Sequence, residues 1–349
     1  MEKVIYGFIG TYTKGDSEGV YLFRLNTEDS TVSVETGAKV DNPTYVTVSN
    51  NNRYLYAVAK EGDKGGAAAF AIDPETKALT RINSQVTEGA NPCHISVDKS
   101  NQLLLSANYH KGTVDAYRVD EGNGTIEPPF SIAKHEGSGP HERQEKPHTH
   151  YSGFTPDEKY VVAVDLGNDN IYTYEVAGNE LKEVSRLATK EGSGPRHIAF
   201  HPNGKYAYVM TELSNEVILL DYNQEDGSFK ERQYISTIPE DFNENSQGSA
   251  IHLSSDGRFV YAGNRGHDSI ALFEIDQSTG ELSFKEWTST EGDWPRDFSL
   301  DPTEQYLLAS NQNSSNLTLF ARDEETGKLQ LLQKDVSVPD PVCVKFLHQ

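Results

Sequence analysis

The run Pro195-Arg196-His197-Ile198-Ala199-Phe200, a polar turn at Pro202-Asn203-Gly204, and Lys205-Tyr206-Ala207-Tyr208-Val209-Met210-Thr211-Glu212 decide the reading of the fold. Ile198 and Phe200 stand two residues apart, the period of a strand. The turn carries hairpin residues, and Tyr206 opens a second strand. The pattern superimposes on segments anchored at Pro43, Pro92, Thr149, Gly248, Pro295 and Pro341; with Pro195, successive intervals are 49, 57, 46, 53, 47 and 46 residues. Apolar pairs follow each anchor: Val46/Val48, Ile95/Val97, Ile251/Leu253, Phe298/Leu300 and Val344/Phe346, with Ser152 beside Phe154 as the one polar break. Tyr54, Leu103, Tyr160, Phe259 and Tyr306 take the place of Tyr206.

Third strands follow, as at 170–176, 216–222 and 269–275, and fourth strands after turns such as Thr279-Gly280 and Thr326-Gly327. Four short antiparallel strands in each unit of about 40–50 residues predict an all-β, seven-bladed β-propeller over residues 1–349 as a single domain. No unit carries the 3.6-residue period, which excludes a helical solenoid. The last anchor, Pro341, is followed by one strand only. Strands near 4–10, 19–25 and 31–35 supply the rest of that blade, so the two chain ends close it and hide its edges.

The net charge of −22, from 53 acidic and 31 basic residues, argues against nucleic acid and anionic membrane as partners. Cys93 and Cys343 lie in different repeats and offer neither a disulfide framework nor a paired zinc spacing. The start, Met1 to Gly7, reads as a strand and not as a signal peptide. No run has the length of a membrane-spanning helix. A cytoplasmic monomer is the expectation.

Within a blade the start of the first strand and the end of the second share a rim. The first strand lines the propeller axis. Two sets of side chains therefore converge on one mouth of the channel. The first set includes His94, His150, Arg196, His197 and Arg296; the second includes Lys60, Asp165, Glu212 and Arg265. Basic residues gathered in so acidic a chain suit a small anion, and arginine offers a planar fork for phosphate or carboxylate. Asn108, Asn264 and Asn311 share one repeat position and read as structural. Asp165 holds the same position, and its role is open between structure and chemistry. Arg265 and Glu212 share a position with opposite charges, which points to roles special to their blades. The two longest intervals place the loops 134–146 and 239–247 on the same rim, where long loops carry function. His141, His148 and His150 match no standard zinc spacing, so neither metal nor cofactor is expected.

The runs Gly10-Thr11-Tyr12-Thr13, Asn91-Pro92-Cys93-His94, Lys146-Pro147-His148-Thr149-His150, Gly194-Pro195-Arg196-His197, Thr211-Glu212-Leu213-Ser214-Asn215 and Gly263-Asn264-Arg265-Gly266-His267-Asp268-Ser269 resemble the seven-bladed propeller lactonase family over essentially the whole chain. The resemblance implies hydrolysis of 6-phospho-D-glucono-1,5-lactone in the pentose phosphate pathway. It implies His150, Arg196, Glu212 and Arg265 as catalytic residues. The expected mechanism is water attack with Glu212 or His150 as base and Arg196 or Arg265 on the oxyanion. His94, His148, His197, Arg296 and Lys60 are the candidates to hold the phosphate. A muconate-type cycloisomerase, a propeller platform for protein interaction and a metal-dependent sugar lactonase are the alternatives.

Overall fold

The computed structural model describes residues 3–349; Met1 and Glu2 of the N-terminal segment lie outside the described residues. The described residues hold twenty-eight strands and no helix, arranged as seven four-stranded antiparallel sheets, the seven-bladed β-propeller. No helix is long and apolar enough to cross a membrane. Second strands begin at Tyr54, Leu103, Tyr206, Phe259 and Tyr306, where the repeat puts them; in the Thr149 blade the second strand begins at Val161, one residue late.

The chain divides into two compact units. The first comprises 1–104, 117–128 and 289–349. Its closing blade pairs Pro341–Phe346 with Val4–Thr11, then Gly19–Asn26 and Thr31–Lys39. The joint is a true ladder, with Gly7 opposite Phe346 and Ile9 opposite Val344. Ile5, Ile9, Phe23, Leu308, Leu319 and Val344 are buried together behind it. Each such side chain contributes about 1.5–3 kcal/mol on leaving water.

The second unit comprises 105–116 and 129–288. It holds the sheets that begin with Thr149–Phe154, Pro195–Phe200 and Gln247–Leu253. Val162, Val164, Ile198, Val209 and Ile218 pack between the first two, and Met210, Leu219, Ile251 and Val260 between the next two. Ser152, the polar break in the repeat, is fully buried. The Thr-Gly turns are organised by an aspartate. Asp276 accepts hydrogen bonds from Ser278 and Thr279, and these lower its carboxyl to about 2. Gly280 then takes a left-handed φ of 76°.

One irregularity of the ladders matters for the site. Where first and second strands pair, the register slips at Thr149/Tyr151, at Pro195/His197, at Gly248/Ile251 and at Pro295/Asp297. His150, Arg196 and Arg296 therefore sit in β-bulges. A bulge interrupts the alternation of side chains and re-aims the extra residue. This explains why adjacent positions after an anchor can both leave the blade core.

Candidate active site

Glu212 follows the end of the strand Tyr206–Thr211, and its main chain is pinned on both sides. Its N–H donates to the Gly194 carbonyl at 2.7 Å, and its carbonyl accepts from the Gly248 N–H at 3.1 Å. Gly194 has a φ of +61°, and a Cβ at Gly248 would stand 2.0 Å from the Thr211 carbonyl oxygen. Glycine is the residue that fits both places. Asp169 fixes the turn that leads into Pro195–Phe200, accepting from the N–H groups of Gly192 at 2.7 Å and Gly194 at 2.8 Å.

The Glu212 carboxylate is buried and meets three guanidiniums. Arg265 Nη2 lies 2.8 Å from Oε2, Arg196 Nε lies 3.2 Å from the same oxygen, and Arg143 Nη2 donates to Oε1. Burial alone would raise the Glu212 pKa. The charges of Arg265, Arg196, His150 and Arg143 outweigh it and hold the carboxyl well below its ordinary range. Three guanidinium charges on one carboxylate leave a surplus of two positive charges. The side chains of Arg196 and Arg265 are 3% exposed, so the charges of these two are largely shielded from water. Arg265 Nη2 also donates to the Gly248 carbonyl at 2.6 Å, which fixes its direction.

His150 lies within an aromatic cluster. Its ring packs edge-on against Tyr109 and His197, at centroid distances of 5.8 and 5.2 Å. Tyr151 packs on His197 from 5.7 Å. His148 stacks on Tyr109 at 4.1 Å, and both of its ring nitrogens are engaged: Nδ1 is 2.8 Å from the Tyr109 carbonyl and Nε2 is 3.1 Å from Glu145. His148 thus holds Tyr109 in place. The remaining sequence candidates lie in the first unit with contacts of their own. His94 is buried with its ring 4.3 Å from that of Tyr45. Arg296 lies over the Tyr12 ring at 5.4 Å, and Lys60 bridges to Asp41 through the main chain. Cys93 is half-buried, and burial raises the pKa of the Cys343 thiol.

Asp165 is structural. Its Oδ1 accepts from the main-chain N–H groups of His148, Gly167 and Asn168, and its Oδ2 from Thr149 Oγ1. His135 Nδ1 lies 2.6 Å from Oδ2, with Tyr174 on the other ring nitrogen. Asn264 and Asn311 tie the end of a fourth strand to the second, donating to the carbonyls of Thr237 and Thr290. Among the described residues no three His, Cys, Asp or Glu side chains gather as metal ligands.

Arg143, Tyr109 and Gln247 belong to the site and were not among the residues chosen from sequence. Arg143 comes from the loop between Ser131–Lys134 and Thr149–Phe154; it donates through Nη1 to Gln247 Oε1 at 3.1 Å. The lengths of the two longest intervals were the signal, because the residues they carry meet here.

A sequence model described as "Lactonase, 7-bladed beta-propeller" matches residues 6–346. The chain belongs to the seven-bladed β-propeller lactonase family. Within and around this family, a Bacillus subtilis protein named 6-phosphogluconolactonase is 58% identical over the full length of both chains. A solved structure from Lactobacillus plantarum is 41% identical with a TM-score of 0.95, covering 99% of this chain and all of the other. The periplasmic gluconolactonase of Pseudomonas aeruginosa is 32% identical with a TM-score of 0.93, covering 99% of each.

Proposed function

We propose that this chain hydrolyses 6-phospho-D-glucono-1,5-lactone to 6-phospho-D-gluconate, a step of the pentose phosphate pathway, as a cytoplasmic monomer. The observation that carries the reading is the gathering of buried Arg196 and Arg265 and half-buried Arg143 on Glu212, with positive charge in excess. The 58% identity to the Bacillus subtilis 6-phosphogluconolactonase supports the substrate.

Glu212 is held ionised far below its ordinary range, which makes it a weak base. Its work is to hold the arginines. His150, whose ring packs against Tyr109 and His197, is the general base. Water attacks the lactone carbonyl carbon and gives its proton to His150. The carbonyl oxygen becomes an oxyanion that Arg196 and Arg265 stabilise, donors fixed before the charge develops. The intermediate collapses with cleavage of the bond to the ring oxygen, which takes the proton back from His150. The carboxylic acid formed ionises in solution.

The test is proton release at constant pH above the spontaneous rate, for the wild type and His150→Ala. The expected loss in kcat is about 10²–10⁴-fold, the range for a general base. An unchanged kcat removes His150 from the reaction.

A further inference from the structure

We infer that Arg143 is the residue by which this site selects a phosphorylated lactone over a neutral one. The inference rests on the lactonase reading above and names the group that recognises its substrate's charge.

Arg196 and Arg265 are buried on strands beneath the surface, each with one guanidinium nitrogen on Glu212. Arg143 differs in its exposure and in the element that carries it. Its side chain is 34% exposed, so it is the guanidinium that a ligand meets first. It bonds to Glu212, Gln247 and Tyr109, and a guanidinium has five N–H donors, which leaves donors for a ligand. It is delivered by a loop that the repeat does not require.

That loop is fixed nonetheless. Gln144 is fully buried beside Arg143, and its Nε2 donates to the Leu166 carbonyl at 2.8 Å and to Asp169 Oδ1 at 2.7 Å. Its Oε1 accepts from the His141 N–H at 3.1 Å. The arginine is therefore held in place before a ligand arrives, which limits the ordering cost of binding. The charge also matches. A phosphate monoester carries about −1.5 to −2 at neutral pH, against the surplus of two positive charges around Glu212. The planar guanidinium fork suits phosphate oxygens.

The test is the ratio of kcat/KM for 6-phosphogluconolactone to that for glucono-1,5-lactone, in the wild type and in Arg143→Ala. Loss of charge-assisted hydrogen bonds is expected to lower the ratio at least about tenfold. A smaller fall overturns the inference, including one in which both rates drop together. Arg143→Lys, which keeps the charge and loses the fork, is expected to lie between the two; a ratio at or below that of the alanine variant counts against the inference. Inorganic phosphate titrated calorimetrically is expected to bind the wild type more tightly than Arg143→Ala, and equal affinity overturns the inference. If the wild type hydrolyses neither lactone, the lactonase reading falls, and the phosphate titration still decides the role of Arg143.

Discussion

Glu212→Gln is the perturbation from which the structure predicts most. Glutamine keeps the size of the side chain, so no cavity opens. What is lost is the one negative charge that Arg143, Arg196 and Arg265 share in a buried place. Breaking a buried ion pair by neutralising one partner costs about 3–5 kcal/mol. At about 2 °C per kcal/mol for a chain of this size, Tm falls by roughly 6–10 °C at pH 7. The pH dependence follows from the depressed pKa. The unfolded carboxyl binds its proton near the ordinary value of 4.5, whereas the folded one resists until well below it. The stability from ionised Glu212 is thus complete above 4.5 and lost as the pH falls from there toward the folded value. Urea unfolding at pH 7 and at intervals down through the acid range reads both effects. The wild-type advantage is large at pH 7 and shrinks below 4.5. A difference under about 1 kcal/mol at pH 7, or one that stays constant into acid, refutes the account of Glu212 as the charge that holds the arginines.

Two further outcomes follow from the same contacts. Asp165→Asn gives up an oxygen that accepts, since Asp165 uses both on buried donors; a loss of about 2–4 kcal/mol in urea unfolding is expected, and an unchanged midpoint rejects the structural role. The single-domain reading predicts one cooperative transition. Trp287 and Trp294 lie in different compact units, so single-tryptophan variants followed by fluorescence are expected to give coincident curves, and separated midpoints contradict it.

The fold was legible because every blade repeats one physical requirement. Apolar pairs such as Ile198/Phe200 must face a neighbouring sheet, and a second strand must open after a short turn. The closing ladder was legible because Pro341 leads into one strand with nothing to pair it nearby. At the site, the positions of Arg196, Glu212 and Arg265 followed from antiparallel geometry, and the structure brings the three together. Three things were not legible. The bulges that aim His150 and Arg196 are properties of register, which no single residue announces. Arg143 stands on a loop outside the repeat, so nothing in the pattern says which of its residues turns inward. The task of His148 depends on Tyr109 and Glu145 being neighbours of its two nitrogens, and only Glu145 is close in sequence. Asp165 shows the converse. It resembles a catalytic carboxylate by position, and its five donors make it a clamp that joins His135, His148, Thr149, Gly167 and Asn168.

The central claim is that the arginines gathered on Glu212 catalyse lactone hydrolysis. Initial rates of 6-phosphogluconolactone hydrolysis by the wild type, Arg196→Ala and Glu212→Ala, each corrected for the spontaneous reaction, test it most directly. The account predicts clear catalysis by the wild type and losses of about 10²–10³-fold in kcat for each variant. A wild-type rate equal to the spontaneous one, or variants as fast as the wild type, would contradict it.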